Sequence, residues 1–184
     1  MTNTFPPRPP QVVVLAYDGL CMFEFGVAVE IFGLPRPEMG EDWYRFAIAS
    51  ADNRPIRSTA GLTLHVDGGL ELLRDADVII VPGWRGAEEP VPAELITALR
   101  AAYARGARLL SICSGVFVLA ATGLLHGRKV TTHWRYTDKL AASYPELTIV
   151  PGVLYVDGGQ ILTSAGSAAG IDLCLHLIRH DKGP

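Results

Sequence analysis

The sequence predicts a flavodoxin-like α/β domain, a three-layer sandwich built on a mostly parallel sheet, and three observations lead there. Apolar, β-branched runs without polar alternation, at residues 12–17, Val78–Val81 and Arg108–Ile112, read as strands covered on both faces. Stretches with helical apolar spacing follow them in turn, as the crossovers of parallel strands require. The segment Ser111-Ile112-Cys113-Ser114-Gly115 leads from a buried strand straight into an apolar helix, which is the spacing of a nucleophile elbow.

Taken in order, the first strand (12–17) is bounded by Pro9-Pro10 and by Asp18-Gly19, and a helix over 24–32 carries Phe25, Val27, Val29 and Ile31. Residues 44–50 alternate as a second strand. Leu70–Arg74 is a short helical turn, and Val78–Val81 is a central strand stopped by Pro82-Gly83. Ala93–Arg105 places Leu95, Ile96, Leu99 and Tyr103 on one helical stripe closed by Gly106, and Arg108–Ile112 follows as a buried strand. A short helix over 116–122 ends at Gly123, and a weaker one over 133–144 stops at Pro145. Residues 153–157 and Ile161–Ser164, joined by Gly158-Gly159-Gln160, form a hairpin, and 167–180 is the closing helix. Val-Asp-Gly-Gly occurs at 66–69 and 156–159 with unrelated flanks, so it is turn chemistry and not a repeat.

The 184 residues suit one core, with 49% hydrophobic and 19% charged side chains and a positive mean hydropathy. Residues 1–10 read as a polar, proline-rich tail, 11–180 as the domain, and 181–184 as the start of a linker. Sixteen basic against 19 acidic residues, net −3, leave no electrostatic footprint for a nucleic-acid backbone. No apolar run approaches the length of a membrane span. Cys21, Cys113 and Cys174 match neither a disulfide framework nor a metal pattern, which points to a reducing cytoplasm and no bound metal; no motif implies a cofactor.

Only Cys113 stands at a helix start after a strand, where backbone N–H groups favour a thiolate. It is therefore expected to be the most reactive thiol, against the alternative of a small cysteine filling a gap behind the sheet. Cys21 and Cys174 read as core packing. Ser164 and Ser167 read as caps of the last helix. Glu24 can complement the dipole of its own helix.

These residues, with Tyr17-Asp18-Gly19, Val81-Pro82-Gly83, Gly123-Leu124-Leu125 and Thr131-Thr132-His133-Trp134, resemble the ThiJ/PfpI superfamily of class I glutamine-amidotransferase-like domains from about Val12 to His180. Within it, Ser111 to Gly115, Thr132-His133-Trp134 and the run 163–172 most resemble the N-terminal domains of AraC-type transcription regulators of the FtrA kind. The resemblance implies that Glu24 lies within hydrogen-bond reach of Cys113, where the carboxyl must be the proton donor to a thiolate. It also implies that His133 lies near the sulfur as a base or a ligand contact, although the residue reads equally as a histidine at a helix start. The N–H groups of Gly83 and Ser114 would form an oxyanion site. Trp84, where many relatives have a second glycine, and Trp134 would line a pocket for a small molecule.

The sequence departs from the catalytic members of the superfamily. No histidine and glutamate two residues apart occur late in the chain, and Ser114 stands where protease-like relatives place a histidine. The expectation is a catalytically degenerate, ligand- or redox-sensing domain. It would dimerise, and it would reach DNA only through a helix-turn-helix domain following Pro184, in a frame continuing for about 100 residues. The alternative is a free-standing hydratase, glyoxalase-like or deglycase-like enzyme using Cys113 and Glu24.

Overall fold

The computed structural model describes residues 8–52 and 54–183. In chain order the regular elements are β1 (Gln11–Leu15), α1 (Met22–Ala28), β2 (Arg45–Ala49), β3 (Ile56–Arg57), β4 (Thr63–Leu64), β5 (Val78–Val81), α2 (Ala93–Arg105), β6 (Arg108–Ile112), α3 (Val116–Ala121), β7 (Lys129–Val130), α4 (Thr137–Ser143), β8 (Thr148–Ile149), β9 (Tyr155–Asp157), β10 (Ile161–Ser164) and α5 (Ala169–Lys182).

Six strands form the central sheet in the order β2-β1-β5-β6-β10-β9. All neighbours are parallel except the β9–β10 hairpin at one edge. Val78, Ile79, Ile80 and Val81 are fully buried, as are Leu109, Leu110 and Ile112, because helices cover both faces. Each such side chain contributes about 1.5–3 kcal/mol by leaving water. α2 turns Leu95, Leu99 and Ala102 to the sheet and ends at Gly106, whose φ of +105° only glycine adopts without strain. The hairpin pairs Leu162 with Asp157 and Ser164 with Tyr155 across the glycine turn.

Several sequence boundaries shift, the first strand to Gln11–Leu15 and the second to Arg45–Ala49 among them. The first helix begins earlier than 24, because the Cys21 carbonyl accepts the Phe25 N–H (3.2 Å), and it changes at Val29–Gly33 into a π-helical turn that lays Gly33 on the ring of Phe46. The helix expected over 133–144 is a 3₁₀ turn, Trp134–Tyr136, followed by α4, with His133 capping it. The hairpin's first strand starts at Tyr155 rather than 153. The last helix starts at Ala169 because Ser167 has φ +27°, and it runs on through Asp181 to Lys182. Asp181 therefore belongs to α5, not to a linker.

Asp181 is held by the far end of the sheet. The Arg108 guanidinium donates to it twice (2.7 and 2.6 Å) and the Tyr44 hydroxyl once (2.6 Å), and the carboxylate is 1% exposed. Burial pulls its pKa upward, but the hydrogen bonds from Arg108, Tyr44 and His180 and the Arg108 charge outweigh it and hold the carboxyl below its ordinary value. Of the segment read as a tail, Arg8 pairs with Asp77 (3.0 Å), and residues 1–7 lie outside the described residues, as does Pro184 of the linker.

Candidate functional site

Cys113 stands at the carboxyl end of β6 with φ +59°. A cysteine pays strain for that conformation, of order 1–3 kcal/mol, unless its surroundings impose it. They do: the Cys113 N–H donates to the Ala165 carbonyl (3.1 Å), and its own carbonyl accepts the Thr132 hydroxyl (2.8 Å). Gly115 explains the spacing of the motif. A Cβ there would fall onto the Val81 carbonyl and within 2.6 Å of the Pro82 carbonyl, so the elbow closes against β5 only with glycine.

The thiol does not behave as its helix-start position suggests. Burial pushes its pKa up and the nearby Glu24 charge pushes it further; the N–H groups of Ser114 and Ser167 pull it down, and the balance lies at about 11. The preference for a thiolate is reversed, because the sulfur is desolvated and stands beside the Glu24 charge.

Glu24 is buried on the first turn of α1, where the sequence places it, but among the described residues no hydrogen bond joins it to Cys113. Its Oε1 accepts the hydroxyl of Ser167 (2.9 Å), and the Ser167 backbone N–H faces the Cys113 sulfur. Ser167 thus links acid to thiol, whereas α5 has Ala168 at its N-cap and no side-chain cap; Ser164 bonds only the adjacent Ala165 carbonyl. The left-handed φ of Ser167 is the local cost of aiming N–H and hydroxyl in two directions at once.

His133 is half-buried. Its Nδ1 accepts the Arg135 N–H (3.1 Å), which leaves Nε2 to carry the proton of the neutral ring. The ring lies over Gly166, where a Cβ would come within 2.9 Å of Nε2, so it borders the Gly166-Ser167 turn without bonding the sulfur.

The two tryptophans part company. Trp84 is 3% exposed, donates from Nε1 to the Glu89 carbonyl (3.0 Å), meets the Tyr17 ring edge-on at 4.5 Å and carries the Arg85 guanidinium at 4.5 Å. It is packing. Trp134 is 77% exposed and touches the His133 ring (5.3 Å), so the pocket expected between them is not formed by both.

Gly83 is clamped. Tyr17 donates its hydroxyl toward the Pro82 and Gly83 carbonyls (2.5 and 2.9 Å), and Ser114 Oγ donates to the Trp84 carbonyl (3.2 Å). Ser114 N–H serves the sulfur.

The sequence reads Cys21 as core packing, but it is half-buried at the N-cap of α1. A Cβ on Gly83 would lie 3.3 Å from its sulfur and 3.5 Å from Ser114 Oγ. The only signal available was its position three residues before Glu24, on the same helical face. Cys174 is fully buried in α5 and pushed up to about 12 by burial alone, as a core residue should be. Among the described residues no cluster of three metal-type ligands occurs, and no helix is long and apolar enough to cross a membrane.

A mostly parallel sheet flanked by helices, with a strained cysteine at the carboxyl end of a central strand, defines an elbow-bearing α/β domain. Residues 10–180 match the DJ-1/PfpI family model, and the chain belongs to that family. It is 40% identical over 144 residues to the HTH-type transcriptional regulator CdhR of Pseudomonas aeruginosa, a match covering 78% of this chain and 42% of CdhR. It is 30% identical to the HTH-type transcriptional regulator GbdR of the same species over 100% of this chain and 51% of GbdR. The chain spans about half the length of these curated relatives. The fold recurs in the crystal structure of an AraC family transcriptional regulator from Pseudomonas putida, with a TM-score of 0.81, 23% identity, and coverage of 95% of this chain and 94% of that one.

Proposed function

We propose that this domain is the small-molecule-sensing, catalytically silent N-terminal part of an AraC-type transcription regulator. The observation that carries the reading is the state of the thiol: a nucleophile whose pKa lies near 11, with His133 Nδ1 occupied and no base bonded to the sulfur, lacks the activation that turnover needs. The similarity to CdhR and GbdR supports the regulatory role.

In this reading Cys113, Glu24, Ser167 and His133 border the ligand site, the Gly83 N–H is its backbone donor while that of Ser114 holds the sulfur, and exposed Trp134 covers its mouth. DNA is contacted through a helix-turn-helix domain beyond residue 184, in a cytoplasmic homodimer that needs no cofactor. Reading the coding sequence downstream of Pro184 tests the domain order, and sedimentation tests the dimer.

The functional test pairs two assays on the purified chain. Small metabolites are screened for a rise in melting temperature that Trp134→Ala or His133→Ala diminishes, and a small aldehyde and an isocyanide are assayed for turnover. A ligand-dependent shift without turnover supports the sensor. Turnover abolished by Cys113→Ala would replace it with the cysteine-dependent enzyme, Glu24 serving as acid and base.

A further inference from the structure

Cys21 is a thiol beside the elbow that the sensing role leaves unused. Its sulfur and the Ser114 hydroxyl both lie against Gly83, at 3.3 and 3.5 Å from the point where a Cβ would stand, and Ser114 is the chain neighbour of Cys113. From the other side, Glu24 on the first turn of α1 is tied through Ser167 to the N–H that faces the Cys113 sulfur. The start of α1 is thereby drawn against the elbow. Cys113 and Tyr17 each sense charge on Cys21, whereas Cys174 has burial as its sole influence.

We propose that Cys21 and Cys113 form a reversible dithiol–disulfide pair, with Cys21 as the resolving thiol for an oxidised Cys113. The inference goes beyond ligand sensing and does not depend on it. With a hydroperoxide as oxidant, the Cys113 sulfur attacks the terminal peroxide oxygen. An S–O bond forms, the O–O bond breaks, and the leaving oxygen takes up the thiol proton; sulfur is oxidised to a sulfenic acid while the hydroperoxide is reduced to an alcohol or water. The Cys21 sulfur then attacks the sulfenic sulfur, the S–S bond forms, and hydroxide leaves as water with the Cys21 proton. Two thiols and one hydroperoxide thus give one disulfide, one alcohol and one water.

The site suits the product. The disulfide is uncharged, as are the two protonated thiols that it replaces, so the buried site holds either state without a desolvated charge. Cys21 is the N-cap of α1, with ψ 109° and its carbonyl accepting the Phe25 N–H, so its backbone is only half inside the helix when the two Cβ atoms close to the roughly 3.8 Å a disulfide needs. The raised thiol of Cys113 makes the first step slow at neutral pH and faster in mild alkali.

The test is to expose the reduced full chain to hydrogen peroxide at about pH 9 and map it by non-reducing mass spectrometry. The expected result is a loss of about 2 Da reversed by a reductant, one cross-linked peptide holding Cys21 and Cys113 of the same chain, and a free Cys174. In Cys21→Ser the mass loss disappears and Cys113 becomes trappable as a sulfenic acid by dimedone. Cys113 advancing to sulfinate while Cys21 stays a thiol in the unaltered chain would overturn the proposal, as would a cross-link between Cys21 residues of two chains. The map of the unaltered chain decides even if the variant fails to fold. Ligand shifts are read on reduced protein, so failure of the sensing role is scored separately.

Discussion

The two ends of α5 solve opposite electrostatic problems. At its carboxyl end Asp181 is desolvated but saturated, with two bonds from Arg108 and one from Tyr44. At its amino end Cys113 and Glu24 are also buried, yet among the described residues no cation pairs with them: Ser167 bonds the carboxyl, and two backbone N–H groups face the sulfur. The first arrangement spends its polar groups on holding the fold together. The second keeps a thiol neutral, strained and incompletely partnered, the condition in which a site can respond to a ligand or an oxidant.

Breaking the saturated end has the largest expected effect. Asp181→Ala breaks a buried ion pair by removing the carboxylate that accepts two bonds from Arg108 and one from Tyr44, so thermal or urea unfolding should show a loss of about 3–5 kcal/mol. The carboxyl's pKa is lowered in the folded state, so its contribution is present above the ordinary carboxylate pKa of about 4 and is lost as pH falls through the folded value. Acid unfolding of Asp181→Asn should lack that component.

The elbow comes next. Gly115→Ala drives a Cβ into the backbone carbonyls of Val81 and Pro82, which side-chain rotation cannot relieve, and should cost about 1–3 kcal/mol in urea unfolding. An unchanged midpoint would mean that β5 and the elbow are less closely joined than described.

Alkylation sharpens the other side of the comparison. The Cys113 rate should climb with pH toward about 11, and Glu24→Gln, by removing a negative neighbour, should raise the rate at fixed pH by up to about tenfold. A slower rate in Glu24→Gln would make Glu24 a partner of the thiolate instead. Because this pKa is raised in the folded state, the neutral thiol stabilises the fold below the unfolded thiol's pKa of about 8.5, and that contribution is lost as pH rises toward about 11. The smallest effect belongs to Lys139→Ala: its pair with Glu88 is exposed, and melting should not change measurably.

Much of this architecture was legible before any coordinates. Ala93–Arg105 and Arg108–Ile112 were read to the residue because stripe, glycine stop and apolar run are all local signals. The site was legible in its members more than in its bonds. Cys113, Glu24 and His133 do gather near the end of β6, but Ser167 was read as a cap because its partner Glu24 lies 143 residues away. Asp181 was read as linker because Arg108, 73 residues distant, is invisible to any window along the chain.

The sequence alone therefore determined the central strands, the helix over Ala93–Arg105 and the glycine that the elbow requires, since hydrophobic period and backbone freedom are properties of neighbouring residues. Tertiary structure alone decided the bond between Glu24 and Ser167, the raised thiol, the nearness of Cys21 and the burial of Asp181. Each depends on what distant segments bring to the same few ångströms, and both desolvation and charge act through that distance rather than along the chain.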